Sequence, residues 1–255
     1  MDLYYTIVFF IFGTIFGSFY NVVGSRLPEG KSIIYPPSHC SNCNHKLGFW
    51  ELFPILSYIF LGGKCKNCKA NISVVHPLFE LLTGIMFALS YCIFGWSIEL
   101  LISIIFISTL LIIIVSDFSY MIIPDEVLLF SSVALILIML IFNGFEATIM
   151  SVFNGFISFG IMFILKLVGD FIFKRDSMGG GDIKLLFLFG LILGWPNALI
   201  CIFLGAIIGL PIALIMTIKN SDNVVPFGPF LSAAAIIIFL TNFNFNMLVD
   251  FLIKL

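Results

Sequence analysis

Charged side chains are scarce in this chain, and their scarcity determines its class. Only 10% of the 255 residues are charged, whereas 61% are hydrophobic and the mean hydropathy is +1.18. Soluble globular domains carry about 25% charged residues, so a water-soluble fold of this size would lack the polar surface to cover its core. The composition excludes a soluble globular protein and predicts a chain with lipid as its main solvent.

Three other patterns are missing. The sequence has no basic tract, so no nucleic-acid partner is expected. The first apolar run has no Lys or Arg before it and no small-residue cleavage site after it, both of which a signal peptide requires. We therefore expect that run to be a retained transmembrane helix. No GxGxxG motif follows a strand-like segment, so the residues indicate no Rossmann-type cofactor site.

Long apolar runs fill most of the remaining sequence. A helix needs about 20 apolar residues to span a bilayer, and the runs predict an all-α polytopic membrane protein with about eight transmembrane helices. A polar, proline-rich module (residues 25–77) separates helix 1 (residues 1–24) from a membrane core (residues 78–255). The predicted helices cover residues 3–24, 78–96, 98–116, 126–142, 148–169, 183–195, 198–218 and 229–248.

The basic residues predict the orientation. If the N-terminus lies outside, ten of the twelve Lys and Arg residues fall in segments on the cytoplasmic side, as the positive-inside rule requires. An even number of helices then places both termini outside. The ten are Arg26, Lys31, Lys46, Lys64, Lys66, Lys69, Lys174, Arg175, Lys184 and Lys219.

Four of the six cysteines form two CxxC pairs within the polar module. The pair Cys40 and Cys43 is separated by 21 residues from the pair Cys65 and Cys68. Two such pairs are typical of a tetrahedral zinc site with four thiolates. Because all four ligands are cysteine, no position stays open for water, and the pattern predicts a structural zinc. A reducing cytoplasm disfavours disulfides between these thiols.

Two acidic residues lie at the boundaries of apolar runs, where charge is costly. Asp117 ends one run, and Asp182 follows Gly179, Gly180 and Gly181 and precedes the next. Two adjacent carboxyl groups that share a proton can act as base and acid on a bound water. The three glycines would let an extended substrate backbone approach. The alternative is that both aspartates are ordinary helix-capping or interface residues.

Two other acidic residues receive structural interpretations. Asp125 follows Pro124 and is expected to cap the next helix. Glu80, near the start of a predicted helix, is expected to pair with a loop cation.

Several sequence blocks occur in an order typical of one known family, and the CxxC pairs together with a GxGD element at residues 179–182 are specific in combination. The chain resembles the type IV prepilin peptidases over nearly its whole length. Val75-His76 and Ser41 depart from that family's usual Arg-Tyr and Pro. The matching blocks are residues 17–23, 26–28, 37–43, 63–68, 76–84, 116–117, 123–125, 179–184 and 226–229.

This resemblance implies an intramembrane aspartic endopeptidase with Asp117 and Asp182 as its catalytic pair and residues 78–255 as its peptidase core. It implies cleavage after glycine of the short basic leader of prepilins or pseudopilins, on the cytoplasmic side of the bacterial inner membrane. It also implies N-methylation of the new N-terminus with S-adenosylmethionine. The implied partners are the precursors and membrane lipid.

Two other functions fit the residues less well. A non-catalytic, zinc-bearing membrane assembly factor would keep the cysteines but would not need both Asp117 and Asp182. A proton-coupled transporter could use the two aspartates as ion sites in broken helices, but the metal module and the absence of repeat symmetry disfavour it.

Overall fold

The structure, a computed structural model, describes residues 2–174, 178–219, 225–243 and 245. Within these residues it has helices and no β-strand, and it divides into two compact units, residues 1–104 and 105–255. The helices are α1 (Leu3–Arg26), a 3-10 helix (Phe49–Glu51), α2 (Leu56–Phe60), α3 (Val75–Phe94), α4 (Ile98–Tyr120), α5 (Asp125–Phe142), α6 (Phe145–Phe173), α7 (Gly180–Leu193), α8 (Trp195–Lys219) and α9 (Gly228–Leu240).

The predicted all-α polytopic fold with an inserted cysteine module is confirmed. Each of the eight predicted transmembrane helices has a counterpart, and α2 is an additional short helix within the module. Six counterparts are long and apolar enough to cross a membrane: α1, α3, α4, α5, α6 and the Trp195–Ile215 part of α8. The other two, α7 and α9, have 14 and 13 described residues. Part of the predicted helix 229–248 lies outside the described residues, as does Arg175.

In the first unit, α1 and α3 pack closely because small residues line their contact. A Cβ atom added to Gly13 would lie 2.8 Å from the Cα of Gly84, and one added to Gly17 would lie 2.9 Å from the Cα of Glu80. Small residues are the usual means by which helices approach in a membrane, where van der Waals packing drives association. This contact fixes the two helices that flank the cysteine module.

In the second unit, the short helix α7 is largely buried. Eight of its residues are buried, on all sides of the helix, and it packs against α6, α8 and α9. A helix that is apolar all round belongs in an interior. Gly155 on α6 lets Phe187 approach, since a Cβ atom there would lie 2.9 Å from that ring. The neighbouring helices thus position the N-terminus of α7, which carries Asp182.

Helix bounds differ from the prediction at three acidic residues. Helix α4 continues through Asp117 to Tyr120, because the polar pair Ser116-Asp117 ends the apolar run without ending the helix. Asp182 lies in the first turn of α7 rather than before it. The prediction that Asp125 caps a helix is wrong, because Pro124 occupies the N-cap position and Asp125 is the first helical residue.

Candidate active site and metal centre

Asp117 is buried near the end of α4, with 6% of its surface exposed. The chain turns sharply just after it: Met121 adopts a positive φ of 55°, and its N–H donates to the Asp117 carbonyl at 2.9 Å. The Ser116 hydroxyl donates to the carbonyl of Ile122 at 2.5 Å and holds this turn closed. The Asp117 carboxylate accepts a hydrogen bond from the backbone N–H of Gly228, at the start of α9.

Asp182 is buried in the first turn of α7, with 7% of its surface exposed. It is the third residue of the helix, and its carboxylate accepts a hydrogen bond from the backbone N–H of the N-cap residue Gly179. This contact is one half of a capping box, and a carboxylate at a helix N-terminus also interacts favourably with the helix dipole. The fold therefore fixes the side chain locally.

The structure brings Asp117 and Asp182 together, close enough for their carboxyl groups to interact electrostatically. Ile123 packs against the glycine next to Asp182 and the glycine that binds Asp117: a Cβ atom added to Gly181 would lie 2.8 Å from the Ile123 Cβ, and one added to Gly228 would lie 3.1 Å from its Cδ1. Two buried carboxyl groups in one site favour a shared proton. The predicted pairing of these residues thus has a geometric basis that the residue pattern alone did not provide.

Gly228 is a site residue to which sequence reasoning gave no role. A Cβ atom there would lie 2.6 Å from Asp117 Oδ2, so only glycine lets the backbone N–H reach the carboxylate without a shift. The block at residues 226–229 was the one sequence signal that drew attention to this position.

The three glycines before Asp182 occupy different environments. Gly179 is the exposed N-cap residue, and Gly181 is packed against Ile123. Gly180 is exposed, and a Cβ atom added to it would meet nothing within 4 Å. Open space beside Asp182 therefore lies at Gly180, and substrate contact by the three glycines stays a prediction.

An ion pair links the two segments that carry the aspartates. Lys184 Nζ lies 2.7 Å from each carboxylate oxygen of Asp125. Both side chains are more than half exposed. Asp125 follows the turn after α4, and Lys184 lies two residues beyond Asp182. Sequence reasoning missed this pair because its members are 59 residues apart.

The four predicted cysteine ligands converge in the first unit. Two identical turns hold them: the N–H groups of Cys40 and Cys65 donate to the carbonyls of His45 and Ala70, at 2.9 and 2.8 Å. In each turn a later residue with positive φ, Asn44 or Lys69, donates its N–H back to the first cysteine, at 2.9 and 3.0 Å. Each turn therefore directs two thiols toward one point.

The geometry of the four sulfurs fits one tetrahedral metal ion. All four Sγ atoms lie within 4.8 Å of one another, with Cys40–Cys68 at 3.7 Å and Cys43–Cys65 at 3.9 Å. Zn–S bonds of about 2.3 Å in a tetrahedron require about 3.8 Å between sulfurs.

Hydrogen bonds prepare Cys68 most clearly for binding a metal. The Ala70 N–H, with help from Asn42, lowers the pKa of Cys68 from 9.0 to about 6. The two asparagines cross between turns: Asn42 Nδ2 donates to Cys68 Sγ at 3.6 Å, and Asn67 Nδ2 donates to Cys43 Sγ at 3.7 Å. Such contacts stabilise thiolates, the form that binds metal.

Two family models match the chain. The bacterial peptidase A24 N-terminal domain matches residues 11–94, which include the four clustered cysteines, and the type IV leader peptidase family matches residues 104–214, which include Asp117 and Asp182.

Curated relatives match nearly the whole chain. A protein of Bacillus subtilis named prepilin leader peptidase/N-methyltransferase is 35% identical over 253 residues, which cover 97% of this chain and 98% of the relative. Proteins of the same name from Neisseria gonorrhoeae and Pseudomonas aeruginosa are 31% and 30% identical, over 91% and 88% of this chain and 89% and 86% of their own lengths. No solved structure matches the chain.

Proposed function

Because the chain belongs to the type IV leader peptidase family, we propose that it cleaves the leader of prepilins or pseudopilins with Asp117 and Asp182 as its catalytic pair. Membership of this family makes the chain a membrane-embedded peptidase. The single observation that supports the assignment of these residues is the buried juxtaposition of two carboxyl groups, each held by a backbone N–H.

The proposed reaction is hydrolysis by a shared-proton pair. The ionised carboxylate removes a proton from a water molecule while the protonated carboxyl donates a hydrogen bond to the scissile carbonyl oxygen. The water oxygen bonds to the carbonyl carbon, the C–N bond breaks, and the departing amine takes the proton. The bonds from Gly228 and Gly179 fix the orientation of each carboxyl group, so little reorganisation is needed.

The open space at Gly180 suits the backbone of an extended substrate, and Gly179 lies beside it. We infer that the leader enters along these glycines and is cut after its own glycine. The distribution of basic residues supports an active site and a cysteine module on the cytoplasmic side of the inner membrane.

The cysteine cluster is proposed to bind a structural zinc ion. Four thiolates complete its coordination, so the metal would stabilise the fold of residues 25–77 and take no part in hydrolysis.

Methylation is the second activity in the names of the relatives. We propose that this chain also transfers a methyl group to the new N-terminal amine, with S-adenosylmethionine as the donor. Among the described residues, none is assigned to that cofactor. Transfer of labelled methyl to the cleaved product tests this activity separately from cleavage.

The deciding experiment uses purified full-length protein in detergent and a pilin precursor, with the products identified by mass. Asp117→Asn and Asp182→Asn should each abolish cleavage and leave helicity and metal content unchanged, whereas the exposed Asp2→Asn is the matched control. The double change should be little worse than either single change, because the two groups act as a unit. Near wild-type cleavage by either Asn variant would overturn the assignment.

A further inference from the structure

An exposed apolar surface lies on the cysteine module, on the segment between its two CxxC turns. It comprises the 3-10 helix, α2 and the residues between them, and we refer to it as the apolar ridge. Trp50 and Phe60 are 80% and 84% exposed. The ridge consists of Phe49, Trp50, Leu52, Phe53, Leu56, Ile59 and Phe60.

The ridge presents no charge outward. Glu51, the one charged residue of segment 49–60, is turned back onto the module, where its carboxylate accepts the Gly48 N–H at 2.9 Å and contacts His45 Nε2 at 3.1 Å. The ring of Phe49 packs against Trp50 and Phe53, with centroids 5.6 and 6.3 Å apart. An uncharged apolar surface of this kind in a folded protein marks a contact with a partner or a membrane.

One hydrogen bond ties the ridge to α3, a helix long and apolar enough to span a membrane. Ile55, in the middle of the ridge segment, donates its N–H to Glu80 Oε2 at 2.7 Å. The sequence predicted that Glu80 pairs with a loop cation. That prediction is wrong, because the Glu80 carboxylate accepts a hydrogen bond from a backbone N–H instead. Glu80 is the sixth residue of α3, which spans Val75–Phe94. At 1.5 Å per residue, 20 residues reach about 30 Å, the thickness of the hydrocarbon core.

The bond thus holds the ridge beside α3, within two turns of the N-terminal end of that helix. If α3 spans the bilayer, this is the level at which the helix meets the membrane boundary. Aromatic side chains are enriched at that boundary, where an apolar ring meets a hydrated polar layer. Lysines of the same module, Lys46, Lys64, Lys66 and Lys69, are exposed and available to anionic headgroups. From this height, composition and charge, we propose that the apolar ridge is seated in the headgroup–acyl boundary of the bilayer.

The cysteine module is then held on the membrane surface rather than extended into water. Its inner side remains attached to the metal-binding turns, because the Tyr58 hydroxyl donates to the Ile72 carbonyl at 3.5 Å and its ring lies against Gly63. Lipid covers the outer side. The hydrogen bond to α3 keeps the ridge at this height, where the bilayer is the one apolar surface that is always present.

Depth-dependent quenching of Trp50 tests the proposal. Full-length Trp96→Phe/Trp195→Phe protein, in which Trp50 is the only tryptophan, is reconstituted in phosphatidylcholine–phosphatidylglycerol vesicles. We expect lipids brominated near the headgroup to remove most of its emission, lipids brominated near the chain ends to remove less, and aqueous iodide to remove little. A second route compares wild-type protein with Trp50→Phe, so that the difference spectrum reports Trp50 if the double variant misfolds.

A matched control places the only tryptophan at Ser41, in the polar turn around Cys40, within a Trp50→Phe/Trp96→Phe/Trp195→Phe background. That tryptophan should be quenched by iodide and not by brominated lipid. Equal lipid quenching at positions 41 and 50 would overturn a ridge-specific contact. Full iodide access at Trp50, or shielding that appears only when a pilin precursor is added, would also overturn the proposal, the latter in favour of a protein-docking surface.

Discussion

Lys184 donates to both carboxylate oxygens of Asp125 at 2.7 Å, and this ion pair joins the turn that follows Asp117 to the helix that begins at Asp182. Both members are more than half exposed, so the pair adds only about 0–1 kcal/mol to the free energy of unfolding. Its geometric effect is larger than its energy, because it bridges the two chain segments whose relative position sets the distance between the Asp117 and Asp182 carboxyl groups.

Replacing Lys184 by Met is therefore expected to lower kcat for precursor cleavage by about tenfold or more, since small displacements of reacting groups are costly. KM should change less, because the ion pair does not contact the space at Gly180. The thermal midpoint should shift little. Steady-state cleavage kinetics and a melting curve of the same preparation measure these quantities.

Lys184→Arg serves as the conservative comparison, because a guanidinium can also bind both oxygens of Asp125. It should retain most of the activity that Lys184→Met loses. If both variants cleave at the wild-type rate, the ion pair has no positioning role.

Gly228→Ala should impair cleavage severely. The new methyl group would lie 2.6 Å from Asp117 Oδ2, so the carboxylate or the start of α9 must move, and the hydrogen bond from the Gly228 N–H would be distorted. Gly160→Ala on α6 is the matched control, because a Cβ atom there meets nothing within 4 Å and alanine is favoured over glycine in a helix by about 1 kcal/mol. Equal activity of the two variants would contradict the close approach at Gly228.

Asn42→Ala should weaken zinc binding without removing a ligand. The lost N–H···S contact to Cys68 leaves that thiolate less stabilised, and outer contacts of this kind change metal affinity by about 10–100-fold. Asn67→Ala should also weaken zinc binding, through its contact with Cys43. Ser41→Ala, in the same turn as Asn42, is the control and should leave the affinity unchanged. Competition with a chromophoric chelator measures the affinities, and unchanged affinity in both Asn variants would exclude the role.

Zinc affinity should also depend on pH in a defined way. The pKa of Cys68 is lowered to about 6 from 9.0, so its thiolate is available above pH 6 and is lost as the pH falls through that value. Affinity should therefore decrease more steeply per pH unit below about pH 6 than just above it, as one further proton competes with the metal. The same chelator competition across pH 5–8 measures the slope, and a constant slope would contradict the lowered pKa.

Apolar runs and two motifs account for most of what the sequence predicted correctly. Each of the eight predicted runs has a helix as its counterpart, six of them long enough to span a membrane, and the spacing of the CxxC pairs identified a cluster whose sulfurs do converge. These features are local or nearly so, since a helix depends on a contiguous run and a CxxC turn on four residues. The predicted end of one helix was wrong at the polar pair Ser116-Asp117. Hydropathy reports only the polarity of side chains, whereas a helix ends where its backbone turns, here at Met121.

The contacts that build the candidate site were beyond sequence reasoning. Gly228 reaches Asp117 across 111 positions of the chain, and Ile123 packs against Gly181. Nothing in a single sequence reports which backbone N–H approaches which carboxylate, because that depends on how α4, α7 and α9 pack. The N-cap prediction at Asp125 failed for a related reason, since its carboxylate is bound by Lys184.

The 14 residues of α7 have a consequence for the lipid around the protein. At 1.5 Å per residue the helix is about 21 Å long, roughly 10 Å short of the hydrocarbon core of an ordinary bilayer. Its two ends cannot both reach a membrane surface, so at one end at least water must enter or the bilayer must thin. Peptidase activity should then fall as acyl chains lengthen in reconstituted vesicles, which would make the enzyme responsive to bilayer thickness through hydrophobic mismatch.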